Sequence, residues 1–381
     1  MLAAAALQPL LAAPAQRGQQ QGASLPAPQR ATGLSSRASP ALRGSAAAAA
    51  ALAARPAPRA AAARAAQRPV AAAAAAPGSA GSVAIAGATG LIGTVLVRQL
   101  QAQGYSVRVL ARNPVAARGK LPYPGIQFVA PAQWAEAVCG CTAVVNLAGE
   151  PIATRWTPDI KAEVKRSRVA TTRQLAAAIN ACPAEQRPKV LVNASAVGYY
   201  GSSEHLQSTT FSESSAPGRD YLAEVCREWE AAAEEAQTRV VILRTGIVLA
   251  KEGGALGRMI PVFSIFAGGP LGSGRQWCSW IHRDDVVGMI QEAIRNPAWQ
   301  GVYNATAPNP VRMGELCSAL GSVMGRPSLV PVPDFALRTL LGEGASVVLE
   351  GQRVVPTRAQ DAGFKFKYTQ VTDALRNVLR A

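Results

Sequence analysis

The pattern of hydrophobic and polar positions divides the chain near residue 80. Before that point, Ala-rich runs such as residues 46–54 are broken by Arg and Pro and carry almost no large apolar side chain. Ala favours helix but buries little, so this segment has no face to pack on a core. After that point the pattern acquires periods. Val83-Ala84-Ile85-Ala86 is a short apolar run, Gly87 to Gly93 a glycine-rich turn, and an amphipathic stretch continues to Gln103. These predict a strand, a turn and a helix, with Gly104 stopping the helix and Tyr105 to Leu110 forming a second strand. Ala143 to Asn146 and Val190 to Ala194 read as further apolar strands. In the helix between them, Ile160, Val164, Leu175 and Ile179 lie largely on one face, while Lys161, Lys165 and Arg168 share another.

Strand, glycine turn and helix in this order make a phosphate site. Gly87 permits the tight turn, Gly90 lets main chain approach a pyrophosphate, and Gly93 lets the helix pack close to the strand. Thr89, Leu91 and Ile92 complete the turn, and the helix start offers its N–H groups to phosphate. The end of the second strand selects the cofactor. A carboxylate there would hold the ribose hydroxyls of NAD, but Ala111-Arg112 stands instead, and a guanidinium pairs with the 2′-phosphate of NADP. Leu147, Ala148 and Gly149 form a small-residue turn at the carboxyl end of another strand, where main chain meets the cofactor. The fold class read from this order is α/β. It is a Rossmann-type doubly wound parallel sheet spanning residues 81–307, followed by a small C-terminal lobe over 308–381 that closes a cleft.

Charge changes the picture mainly at the N-terminus. Residues 1–80 hold eight of the 39 basic residues, all Arg, and none of the 23 acidic ones, which is how an organellar transit peptide reads. Setting them aside halves the formal net charge of +16. The remaining excess suits an anionic cofactor or a membrane surface as well as nucleic acid, and no nucleic-acid motif is present. No stretch after residue 80 is apolar enough to span a bilayer, so the mature chain is expected to be soluble or membrane-peripheral. Six cysteines without paired CxxC spacing read as mostly free, buried thiols. No metal site is expected, since His205 stands isolated in a polar loop.

The chain resembles an atypical branch of the extended short-chain dehydrogenase/reductases, the cell-division-inhibitor-like "epimerase family", with plastid members of the Giant Chloroplast type. The matching stretches are Gly87 to Gly93, Asn146 to Ile152, Ser167-Arg168, Ser195 to Gly201, Asp220 to Glu230, Arg244 to Leu249, Gly268 to Asp284, and Arg326-Pro327 to Phe366. The resemblance implies NADP contacts at Arg112, Leu147, Ala148, Glu163, Arg168 and Val248, and a C-terminal domain shared by the branch. Plastid members point to the chloroplast stroma, with the inner envelope and the mitochondrion as alternatives.

Ordinary members of that superfamily use a Tyr-x-x-x-Lys pair, in which Lys lowers the Tyr pKa for proton transfer. Here no tyrosine has Lys four residues later; alignment on Glu230 puts Leu222 and Cys226 at those positions, with Tyr221 one residue off. About 100° of helix rotation separates neighbouring residues, so Tyr221 should point away. Ser195, which matches the superfamily's active-site hydroxyl, and Tyr200 remain as candidate catalytic groups. His282 reads as structural, and Asp284 or Asp285 as the cap of a helix over Val286 to Ile294. The loop Gly268 to Gly274 is a tight connection that could line the cleft. Two functions follow. The absent pair favours an NADP(H)-binding regulator acting through a protein partner, for example in plastid division. The alternative is an NADP-dependent oxidoreductase or epimerase acting on an unknown small molecule.

Overall fold

A computed structural model describes residues 80–202 and 208–380 of the chain. The transit-peptide reading of residues 1–80 and the reading of His205 therefore fall outside the described residues, apart from Ala80. Seven strands form one parallel sheet: β1 (Ser82–Ala86), β2 (Ser106–Leu110), β3 (Gln127–Val129), β4 (Ala143–Asn146), β5 (Val190–Ala196), β6 (Arg239–Thr245) and β7 (Gly301–Ala305). Their order is β7-β6-β5-β4-β1-β2-β3. The chain winds outward from β1 through β2 to β3, then returns to β4 and winds the other way. That reversal between β1 and β4 opens a crevice at the carboxyl edge of the sheet, where ligands of such folds bind.

Every residue of β1 is buried, as expected when helices cover both faces of a parallel sheet. Alternation along the strand divides the core. Val83 and Ile85 pack with Leu96 and Leu100 of α1 (Gly93–Ala102) and with Ile290 of a later helix, Arg283–Arg295. Ala84 and Ala86 face the other layer, with Leu175 and Ile179 of α2 (Pro158–Asn180). Thr157 caps α2 by accepting from Ile160 N at 3.2 Å, and Asp220 caps α3 (Tyr221–Glu234) by accepting from Ala223 N at 2.8 Å. Besides the helix Gly254–Ser264, the later long helices are α4 (Arg283–Arg295), α5 (Met313–Met324), α6 (Asp334–Leu341) and α7 (Val371–Arg380). Leu316 and Leu320 of α5, Leu337 and Leu341 of α6, and Leu375 of α7 build a second core with Leu256 and Trp280. Among the described residues, no helix is long and apolar enough to cross a membrane.

One expectation needs correction, and another, mostly free and buried cysteines, holds for four of the six. Cys139 and Cys182 form a disulfide across 43 residues of sequence, while Cys141, Cys226, Cys278 and Cys317 are free and buried. Cys139 follows the helix Trp134–Val138 and Cys182 follows α2, so the pair meets only when both helices dock on the same face of the sheet. Spacing along the chain could not show this. The cap of α4 is His282, whose Nδ1 accepts from Asp284 N at 3.0 Å, rather than either aspartate. Asp285 is buried and instead accepts from the main-chain N–H groups of Lys367 and Tyr368, which ties the C-terminal segment to α4.

Candidate functional site

Two clefts open along the carboxyl edge of the sheet. The larger, about 340 Å³, lies at the β1/β4 crevice and is lined by Gly87, Thr89, Gly90, Ala111, Arg112 and Leu147 to Glu150, among others. Its walls are close-fitting main chain. A Cβ on Gly87, which has φ +77°, would stand 2.5 Å from the Leu147 carbonyl. One on Gly93 would stand 2.4 Å from Gly87 O. Gly90 differs, because a Cβ there would meet only Gly87 O at 3.3 Å and otherwise face open space. The first and third glycines therefore let strand and helix close up, and the second leaves the cleft clear. Leu91 and Ile92 sit behind the turn: Leu91 lies against Gly253 and Gly254, and Ile92 packs into the core.

Buried amides hold the opposite wall. Asn146 donates to Asn193 Oδ1 at 2.7 Å and to Thr172 Oγ1 at 2.8 Å, and its own Oδ1 accepts from Ala148 N at 3.2 Å. The Leu147-Ala148-Gly149 turn is thereby fixed from within the sheet. At the far end, Arg112 is exposed and pairs with Glu150 at 2.8 Å. Lys120 lines the same cleft and Asn113 caps the helix Pro114–Lys120. The sequence reading missed Lys120 and Glu150; their only signal was the short helix after Arg112 and a carboxylate next to Gly149.

The smaller cleft, about 170 Å³, lies between α3, the end of β5 and the C-terminal segment. Its lining is largely apolar, including Leu222, Cys226, Trp229, Ile247 and Trp277. Leu222 and Cys226 both face this space, so an aliphatic side chain and a thiol stand where tyrosine and lysine were sought. Burial and then the nearby Glu230 push the Cys226 thiol up to about 12, which keeps it neutral. Tyr221 points elsewhere and donates to Lys161 O at 2.5 Å on α2.

Arg168 lines the smaller cleft and also touches Gly149 on the wall of the larger one. Its guanidinium lies beside Gly149, donates to Glu150 O at 2.9 Å and Val164 O at 3.0 Å, and sits over the Trp229 ring. Burial lowers its pKa from the ordinary arginine value. Its companions on the basic face are taken up by other elements: Lys161 pairs with Glu343, and Lys165 with Glu224 and Glu228.

Ser195 and Tyr200 lie behind the smaller cleft, and neither lines it; Ala196 does. The Ser195 hydroxyl donates to Glu230 Oε1 at 2.6 Å, and Glu230 receives two further bonds from Arg244, at 2.8 and 2.7 Å. Arg244 continues to Tyr200 OH at 3.1 Å, and Tyr200 donates to Asn304 Oδ1 at 2.7 Å. The guanidinium also covers the Tyr199 ring at 3.2 Å. Burial works against the charge on Arg244, but the Glu230 carboxylate outweighs it and raises the arginine pKa. In this arrangement both hydroxyls are engaged in a buried network linking β5, α3, β6 and β7. Glu163 pairs with Arg166 on α2, and Val248 lies in a short strand beside Ile281; neither lines a cleft. The Gly268 to Gly274 loop also stays away from both. Val330 N donates to Gly268 O at 3.1 Å, and a Cβ on Gly269 would stand 2.1 Å from Val330 O.

Comparison with known proteins fits this geometry. The profile described as "NAD dependent epimerase/dehydratase family" matches residues 83–305, and a domain of unknown function, DUF1731, matches residues 332–378. The chain is 57% identical over 297 residues to "Epimerase family protein SDR39U1 homolog, chloroplastic" of Arabidopsis thaliana, covering 77% of this chain and 85% of that one. It is 36% identical to the epimerase family protein YfhF of Bacillus subtilis, covering 76% and 95%. Among solved structures it is similar to the human epimerase family protein SDR39U1 (isoform 2), crystallised with NADPH. The identity there is 34% and the TM-score 0.72, with 78% of this chain and 99% of that one covered. On this sequence match and this sheet, the chain belongs to the NAD dependent epimerase/dehydratase family, in its SDR39U1-like branch with the DUF1731 C-terminal domain.

Proposed function

We propose that this protein binds NADP(H) in the larger cleft and works in the plastid. The observation that carries this reading is the open face of Gly90 between two walls of packed main chain, with Arg112 and Lys120 at the distal end. Gly87 to Gly90 and the start of α1 would hold the pyrophosphate, and the two cations the 2′-phosphate. When bound, the nicotinamide accepts or gives a hydride. Arg112 must exchange its partner for this. Its pair with Glu150 is surface-exposed, and such pairs are worth about 0–1 kcal/mol, so phosphate displaces the carboxylate at small cost. NADPH in the human relative and the plastid name of the Arabidopsis relative support the same reading. The Arg-rich leader is proposed as the import signal, with residues 81–307 and 308–381 as the two folded parts.

A second reading is favoured by Leu222 and Cys226 in the smaller cleft. Without a Tyr-Lys pair the protein would sense NADP(H) and act through a protein partner, for example in plastid division. A crystal structure of residues 81–381 grown with NADPH tests the first reading. The 2′-phosphate should lie within hydrogen-bond distance of Arg112 or Lys120, with the pyrophosphate over Gly87 to Gly90. Cofactor bound elsewhere, or none at saturating NADPH, would refute it.

A further inference from the structure

We propose that Glu350 is the proton-accepting catalytic residue of the smaller cleft, and that this cleft takes a small, largely apolar alcohol or the matching carbonyl compound. The inference rests on the reading that the neighbouring cleft holds NADP(H). Three ionisable side chains line the smaller cleft among the described residues: Arg168, Cys226 and Glu350. Arg168 is a cation held by main-chain carbonyls, and Cys226 is a buried neutral thiol. Glu350 is the carboxylate, and it arrives from the C-terminal segment, across the cleft from Leu222 and Cys226.

Its position is built rather than incidental. Ser202 Oγ donates to Glu350 Oε2 at 2.9 Å, and Ser202 is itself held by a bond from its N–H to Asp220 Oδ2 at 2.8 Å. Glu350 N donates to Ser346 O at 3.0 Å. On the other side, a Cβ on Gly351 would stand 1.9 Å from Trp277 O, so the chain is pressed against that residue. Ser279 Oγ then donates to Gln352 O at 2.7 Å and accepts from Val354 N at 2.9 Å. The main chain is thus held on both sides of Glu350, and its carboxylate accepts from Ser202 at Oε2 while Oε1 has no hydrogen bond among the described residues.

The cleft's size and lining select the ligand class. At about 170 Å³ it is smaller than the roughly 300–1,000 Å³ of pockets for drug-sized ligands, so a nucleotide-linked sugar does not fit within it. Its apolar wall of Leu222, Trp229, Ile247 and Trp277 suits a short hydrocarbon skeleton, and Glu350 suits a hydroxyl hydrogen. In the oxidising direction the substrate O–H bond would break and an O–H bond would form on Glu350, while the C–H bond of the carbinol carbon breaks and the C–O bond becomes a double bond; a bound oxidised nicotinamide would supply the acceptor for that hydride. The proton on Glu350 passes to water afterwards, and reduction reverses these changes. Glu350 thus supplies the proton transfer that the absent tyrosine performs elsewhere.

Cyclohexanol and cyclohexanone serve as probes, with methylcyclohexane as an apolar control. Trp229 and Trp277 line the cleft, so quenching of tryptophan fluorescence reports binding in the NADP-saturated full chain without requiring turnover. The expected result is that native protein binds cyclohexanol at least tenfold more tightly than methylcyclohexane. Glu350→Leu should abolish that preference, whereas Glu350→Gln, which keeps an acceptor, retains most of it but oxidises cyclohexanol at least 100-fold more slowly than native protein. NADPH affinity measured in parallel should be unchanged in both variants. The proposal is overturned if native protein shows no preference for the alcohol, if Glu350→Leu keeps the preference, or if Glu350→Gln turns over as native does. Loss of NADPH binding by native protein would instead count against the cofactor reading.

Discussion

Arg244–Glu230 and Arg112–Glu150 join the same two types of side chain at nearly the same separation, 2.7 and 2.8 Å, in opposite environments. The first pair is 4% and 8% exposed beneath the smaller cleft, the second 77% and 34% exposed at the rim of the larger one. Distance alone would rank them as equals. Solvent decides otherwise, because a buried charge that loses its partner stays buried, whereas an exposed one is rehydrated. The inner pair is therefore part of the fold, and the outer pair is free to trade its carboxylate for a phosphate.

The comparison breaks most visibly at Glu230. Glu230→Ala leaves Arg244 uncompensated and removes the acceptor of Ser195, and should destabilise the protein by about 3–5 kcal/mol. Denaturant unfolding measures this; a loss below about 1 kcal/mol would mean that the buried pair behaves like the surface one. Next comes the attempt to restore a reductase by the double change Leu222→Tyr with Cys226→Lys. Cys226 is buried near the Arg168 cation, and the nearby Glu230 is already paired with Arg244, so an ammonium there costs several kcal/mol or loses its charge. NADPH oxidation with small carbonyl compounds should not exceed that of native protein in a spectrophotometric assay. A marked gain would show that the smaller cleft tolerates charge as readily as the rim.

The buried thiols extend the same contrast to pH. Burial raises Cys226, Cys278 and Cys317 from 9.0 to about 12 in the folded protein. A raised folded pKa means stability is fully present below the unfolded value and is lost as pH climbs through the folded one. Thermal melting should therefore be insensitive to these thiols below pH 9.0 and fall progressively toward pH 12, by at most about 1.4 kcal/mol per pH unit for each thiol. Substituting Cys278 by Ala should flatten part of that decline. The smallest effect belongs to the outer pair: Arg112→Ala should change unfolding stability by no more than about 1 kcal/mol.

What was legible in the sequence follows the same division between local and assembled features. The glycine turn, both flanking strands and the helix between them are encoded within some thirty consecutive residues, so pattern alone shows them. Arg112 was legible because it ends a strand whose role is set by that turn. The inner network was not. Ser195, Glu230, Arg244, Tyr200 and Asn304 come from five separate elements and meet only after the sheet forms, and the serine that matches an active-site hydroxyl in sequence donates to Glu230. Cys139 with Cys182, and Glu350 with Ser202, were hidden for the same reason. The α4 cap was misread because an aspartate is the common choice there, yet Asp285 is engaged with Lys367 and Tyr368 and His282 serves instead.

The central claim, that the larger cleft is an NADP(H) site whose selectivity lies in an exchangeable surface arginine, is tested most directly by calorimetric titration with NADPH and NADH. Native protein and Arg112→Ala are compared under one salt concentration. Native protein should prefer NADPH, and the variant should lose about 1.5–3 kcal/mol of NADPH binding while NADH binding hardly changes. Equal losses for both cofactors, or no preference in the native protein, would contradict it.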